Sequence, residues 1–185
     1  MKLDKQAEAL LVEGLRSGKE SAMRDFYAHY AGYLTAVCAR YVPWPDDLKD
    51  VLHDALLKVF TRIGDFSYQG PGSLKAWASR VVVNESLLFL RQKKRLVFAA
   101  DDLSEAEEDV AVPAEGLGMP VLQQMIQQLP DGYRTVFNLF VFEGMPHADI
   151  ARQLGISTAT SASQYHRAKK MLQKSILEYK KKNGL

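Results

Sequence analysis

The chain has 185 residues, of which 47% are hydrophobic and 25% charged, with 12 glycines and 7 prolines. That composition supports one domain or two small ones and excludes both wholesale disorder and a disulfide scaffold. The single cysteine, Cys38, has no second thiol in the chain to pair with, which points to a reducing compartment and to a small core side chain rather than a reactive one.

The opening Met1-Lys2-Leu3-Asp4-Lys5-Gln6 mixes charges where a secretory signal needs an apolar run. No stretch nears the roughly 18 apolar residues of a membrane span. A cytoplasmic protein is therefore expected. The net charge of +2 conceals a pattern: residues 72–98 sum to +5, residues 99–120 to −7 and residues 147–185 to +6. Two basic blocks parted by an acidic one suggest two separate surfaces for polyanions.

In chain order, Met23, Phe26, Tyr27, Tyr30, Leu34, Val37 and Tyr41 recur at helical spacing and predict a helix ended by Pro43-Trp44-Pro45. Aromatic stripes of this kind are core, so they carry no cofactor meaning. Leu48, Val51, Leu52, Ala55, Leu56, Val59, Phe60 and Ile63 mark a second helix over 46–63. Asp46 and Asp47 suit its first turn, at the positive end of the helix dipole. Gly64 to Gly72 is rich in turn residues. A third helix is predicted from Ser73 to Arg95, with Leu74, Trp77, Val81 and Leu88 on its inner face and cations at its end.

Residues 99–119 read as a flexible acidic linker, because Asp101, Asp102, Glu105, Glu107, Glu108 and Asp109 repel one another and Pro113, Gly116 and Gly118 discourage regular structure. This places a domain boundary between 1–98 and 120–185. Short apolar groups then end at Pro130, at Gly144-Met145-Pro146 and at Gly155, and a last helix starts at Ser157 or Thr158 and runs to about Lys181. No strand alternation occurs, so the expected fold is all-α: two small helical domains on one linker.

The strongest motif is His147-Ala148-Asp149-Ile150-Ala151-Arg152-Gln153-Leu154-Gly155-Ile156-Ser157-Thr158. A short amphipathic helix, a glycine for a left-handed turn, an apolar plug and a Ser/Thr cap make a helix-turn-helix. The helix after it offers Thr160, Ser163, Gln164, His166, Arg167 and Lys170 on a polar face, while Tyr165, Ala168 and Leu172 pack inward. Such a helix fits the major groove, where Arg and Gln read base edges and Lys, Ser and Thr hold phosphates.

Leu129-Pro130-Asp131-Gly132-Tyr133-Arg134-Thr135-Val136-Phe137, Glu143-Gly144, the helix-turn-helix and Arg167-Ala168-Lys169 together resemble the promoter-binding C-terminal domain (region 4) of bacterial sigma factors of the sigma-70 family, above all the extracytoplasmic-function (ECF) group. Asp50-Val51-Leu52-His53-Asp54-Ala55-Leu56-Leu57-Lys58-Val59-Phe60, Gly72-Ser73-Leu74-Lys75-Ala76-Trp77, Arg80, Asn84, Leu90-Arg91 and Lys93-Lys94-Arg95 resemble that group's N-terminal domain (region 2).

The resemblance implies that Asp47, Asp50, His53, Asp54 and Lys58 face the largest subunit of core RNA polymerase. It assigns Arg80, Asn84, Arg91, Lys93, Lys94 and Arg95 to the single-stranded minus-ten element, with the Tyr68–Gly72 loop and Asn84 choosing the captured base. Thr160, Ser163, Gln164, His166, Arg167 and Lys170 fall to the minus-thirty-five duplex. It implies an anti-sigma factor as a further partner, no cofactor or metal, no small-molecule substrate and no enzymatic activity. Ala162, Leu88 and Lys49 depart from residues common in the group.

Two other classes fit less well. A response regulator would carry a receiver of alternating strands and helices, which residues 1–98 lack. A metal-dependent phosphohydrolase built on His29, His53 and Asp54 fails because the last two are adjacent on a helix and point about 100° apart.

Overall fold

The computed structural model describes residues 4–98 and 111–184. Among the described residues the regular structure is eight α-helices and one short 3-10 turn, with no strand. The chain divides into two compact units, residues 1–90 and 91–185. The predicted boundary lay at 98, and residues 99–110 of the expected linker lie outside the described residues.

In the first unit α1 (Lys5–Arg16), α2 (Glu20–Tyr41), α3 (Pro45–Thr61) and most of α4 (Ser73–Gln92) follow one another. Asp4 starts α1 by accepting the Ala7 N–H at 2.8 Å, one of the donors that a helix start leaves without a partner. α1 and α2 lie so close that a Cβ at Gly14 would stand 2.7 Å from that of Ala22. Pro45 supplies the first residue of α3, where its missing N–H costs nothing.

The core gathers Phe26, Leu34, Val37, Cys38 and Tyr41 from α2, Val51, Ala55 and Val59 from α3, and Leu74, Ala78, Val82, Leu87 and Leu90 from α4. Each large apolar side chain so buried is worth about 1.5 to 3 kcal/mol. The aromatic stripe of α2 is core with one correction: Tyr27 is exposed. Cys38 sits among these side chains with its Sγ 3.7 Å from Ser86 Oγ, and burial pushes its thiol up to about 11. The native chain is therefore expected to resist Ellman's reagent at pH 8 and to react once in urea; equal rates in both states would refute a buried thiol.

The inner face of α4 differs from the predicted one. Leu74, Ala78, Val82, Ser86 and Leu90 are buried at four-residue steps, whereas Leu88 is exposed and Trp77 and Val81 are half-buried. Small side chains at Ala78 and Ser86 let the helix approach its neighbours, and a reading keyed to large side chains chose the wrong stripe. α4 also ends at Gln92 rather than Arg95, because Lys94 takes a left-handed φ of 52°.

The second unit contains α5 (Met119–Gln127), α6 (Asp131–Val141), α7 (His147–Leu154) and α8 (Thr158–Asn183). Met125, Ile126, Leu129, Phe137, Ala168, Leu172 and Ile176 form its core. Val112, Ala114 and Leu117, from the end of the expected linker, pack on that core. The reason is compositional, since the acidic cluster stops at Asp109 and apolar residues follow it.

Residues 91–98 belong to this unit as well: Arg91 donates to the Gln153 carbonyl and Arg95 lies 3.8 Å from Asp131. Arg134 is the pin of the unit. Its guanidinium, 2% exposed, donates to the carbonyls of Gln127 and Leu129 and to Asp131 at 2.6 Å, tying the α5–α6 turn to α6. Burial pulls its pKa below the ordinary value, and the Asp131 carboxylate opposes that.

Candidate nucleic-acid and partner interfaces

Three surfaces gather the residues singled out by sequence. On α3, burial of Val51, Ala55 and Val59 turns the opposite face outward, where Asp50, His53 and Asp54 are exposed. Leu57, 50% exposed, continues this face one turn further on. Steps of three and four residues place all four on one stripe, an acidic strip ending in an apolar knob. Leu57 was absent from the predicted set because that set was drawn from polar side chains, although its spacing matches theirs.

Asp47 is half-buried. Lys58 is turned to another use: its Nζ lies 2.6 Å from Glu85 on α4, and Glu85 is only 13% exposed. The structure thus gives Lys58 a structural partner within the unit.

The second surface is α4 and the loop before it. Arg80, Asn84 and Leu88 are exposed at four-residue steps on the face away from the core. Arg91, Lys93, Lys94 and Arg95 are exposed too, but they fall in the second unit, so the predicted minus-ten set is divided between the two units.

The loop is bent by Gly70 and Gly72, at φ 110° and 86°, values that favour glycine. Phe66 buries its ring 5.1 Å from that of Trp77, and the Ser73 hydroxyl donates to the Gly70 carbonyl at 2.7 Å. Glu8, from α1, reaches the loop's end: it accepts the N–H of Gly72 at 2.6 Å and of Leu74 at 2.9 Å. Sequence reasoning passed over Glu8. A carboxylate 64 residues from its donor leaves no local signal.

The third surface is the helix-turn-helix. Gly155 is left-handed at φ 71° and closes α7 by donating its N–H to the Ala151 carbonyl. Ser157 caps α8 by accepting the Thr160 N–H at 2.9 Å. His147 stacks on Phe140 with ring centres 4.5 Å apart, and its Nδ1 lies 2.9 Å from Ser161 Oγ, fixing α7 to the first turn of α8.

Along α8, Thr160, His166 and Arg167 are half-buried and Lys170 is exposed. Ser163 and Gln164, predicted to face DNA, are both buried. Gln164 lies four residues before Ala168 and eight before Leu172, on the stripe that packs inward, and small Ser161 and Ala168 let that stripe approach α6 and α7. Ser163 spends its hydroxyl on the Thr160 carbonyl at 3.0 Å.

Burial lowers the pKa of His147 below its ordinary 6.5. The folded form therefore binds fewer protons than the unfolded chain, so His147 contributes stability that is complete above about pH 6.5 and is lost as pH falls through the lower folded value. The urea midpoint of the second unit is expected to drop between pH 7.5 and 5, and less so in His147→Gln. Parallel pH slopes for the two proteins would remove His147 as the cause.

Among the described residues no group of three or more His, Cys, Asp or Glu is placed to hold a metal ion, and no helix is long and apolar enough to cross a membrane. Family models match two stretches: Sigma-70 region 2 over residues 26–96 and Sigma-70 region 4 over residues 121–172. Similar curated proteins include the RNA polymerase sigma-H factor of Pseudomonas aeruginosa, 25% identical over 94% of this chain and 96% of its own length. The ECF RNA polymerase sigma-E factor of Haemophilus influenzae is 26% identical over 90% and 93%. The sigma factor SigV of Bacillus subtilis is 26% identical over 93% and 94%.

Proposed function

We propose, from the premise that this chain belongs to the sigma-70 family of RNA polymerase sigma factors and to its ECF group, a division of labour among the three surfaces. The chain is a sigma factor that binds core RNA polymerase and directs promoter recognition and transcription initiation. The observation that carries this is the presence on one chain of the region 2 helices and of a helix-turn-helix closed by left-handed Gly155.

In this reading the α3 strip of Asp50, His53, Asp54 and Leu57 docks on a helical, partly basic face of the polymerase's largest subunit. Opposed charge there sets orientation and speeds encounter. Arg80 and Asn84 on α4 meet the unpaired minus-ten strand, with the cations of 91–95 drawing its phosphates. The Tyr68–Gly72 loop shapes the pocket for the extruded base, which must offset a few kcal/mol of lost stacking.

α8 enters the minus-thirty-five major groove through Thr160, His166, Arg167 and Lys170, since Gln164 is buried on the inward stripe and Ser163 is buried with its hydroxyl on the Thr160 carbonyl. An anti-sigma factor that covers the core-binding and DNA-binding faces completes the reading, and the cytoplasm is the compartment in which it operates.

Run-off transcription with purified core RNA polymerase on a genomic fragment library tests the whole. Discrete start sites that depend on the added chain support it, and none from a folded protein that fails to bind core refutes it. Within that assay Arg167→Ala is expected to lower upstream-element binding by about 1 to 3 kcal/mol if Arg167 reads a base through two hydrogen bonds. An equal loss on random DNA makes it a phosphate contact instead.

A further inference from the structure

α1 holds the loop ahead of α4 at three points. The Lys5 carbonyl accepts the Tyr68 hydroxyl at 3.0 Å. Both Glu8 oxygens accept N–H groups, of Gly72 at 2.6 Å and of Leu74 at 2.9 Å. Arg16 donates to the Phe66 carbonyl. Lys5, Glu8, Val12 and Arg16 follow at steps of three and four residues, so one stripe of α1 does all the holding, and Val12 on that stripe is buried.

Glu8 is the centre of the arrangement. It is 1% exposed, and a buried carboxylate persists only where its oxygens are satisfied. Here they are satisfied by amide groups at the start of α4, which have no partner inside the helix and lie at its positive end. The carboxylate therefore occupies these amide donors and ties the loop's end to α1. Gly70 and Gly72 take positive φ values that other residues rarely adopt, and the ties to α1 add to the loop's own Ser73–Gly70 bond in setting its path. α1 precedes the residues matched by the region 2 model.

We propose that Glu8 is a positioning residue for minus-ten base selection: by fixing the Gly72 and Leu74 amides it sets the path of the Tyr68–Gly72 loop, and through it the shape of the pocket for the unpaired base. This rests on the reading of that loop as the base-selecting element.

The test uses the full chain with core RNA polymerase. The promoter recovered most strongly by run-off serves as probe, each of its minus-ten non-template positions being randomised in turn. Glu8→Ala, which removes both acceptors, is expected to reduce discrimination at the captured base about tenfold, the size of one charge-assisted hydrogen bond. Glu8→Gln keeps one acceptor and should fall between it and wild type. Tyr68→Phe removes an exposed tether without touching the buried carboxylate, and should shift the preference in the same direction.

Affinity for core and for the minus-thirty-five duplex should stay at wild-type level in all three. Unchanged base preference in Glu8→Ala and Tyr68→Phe overturns the proposal, as does a loss in Glu8→Ala that falls equally on core affinity. Gln69→Ala separates the two levels. If it alters preference while the Glu8 and Tyr68 variants do not, only the role of Glu8 is lost. If it too leaves preference unaltered, the loop reading falls and takes this inference with it.

Discussion

The double variant Asp50→Lys/Asp54→Lys is expected to bind core RNA polymerase about a hundredfold more weakly than wild type, since setting like charges against each other across an interface costs several kcal/mol. Both carboxylates are exposed, and lysine is a good helix former. The helical content and the thermal midpoint should therefore hardly move, which separates lost docking from lost folding. A titration of labelled core followed by anisotropy measures the effect, and wild-type affinity in the folded variant would refute the α3 surface as the docking face.

Lys58→Ala offers the contrast. With its partner Glu85 only 13% exposed, the main consequence should be a part-buried carboxylate left without this cation, a loss of about 1 to 3 kcal/mol in stability. Core affinity should change much less than in the double variant.

The largest expected loss of stability belongs to Arg134→Ala, about 3 to 5 kcal/mol. The guanidinium, itself 2% exposed, gathers two carbonyls and Asp131, and its removal takes this donor from all three. Lysine cannot replace it, because one ammonium on a flexible stem does not present the planar fork that these acceptors surround.

The two tryptophans, Trp44 and Trp77, both lie in the first unit. Tryptophan fluorescence in urea should therefore follow the same curve in variant and wild type, while the far-ultraviolet circular dichroism transition acquires an early step from the second unit. A single unshifted transition by both probes would deny Arg134 this role.

What could be read from the sequence was whatever is written in neighbouring residues. The helix-turn-helix needs a left-handed glycine and a cap within three positions, and Gly155 and Ser157 announce both. The stripe of α3 was legible because its buried positions carry Val51, Ala55 and Val59 among larger apolar residues at one period. The inner stripe of α4 was not, because Ala78 and Ser86 look neutral in a chain and become core only when another helix approaches them. Gln164 misled for a related reason: a polar side chain was assigned outward although its register is that of Ala168 and Leu172. Lys58 and Glu8 show the limit, for each is defined by a partner on another helix, and no pattern of spacing names that partner.

The ties between α1 and the loop join residues separated by 50 to 66 positions. Closing so long a stretch of chain is entropically slower than forming any single helix. As the chain leaves the ribosome, α1, α2 and α3 have all their residues before Gly72 and Leu74 exist, so the buried carboxylate of α1 must wait for its donors. The loop is accordingly among the last parts of the first unit to take shape. For the same reason an affinity tag belongs at the far end of the chain, since one fused ahead of Lys5 would sit beside the segment that closes last.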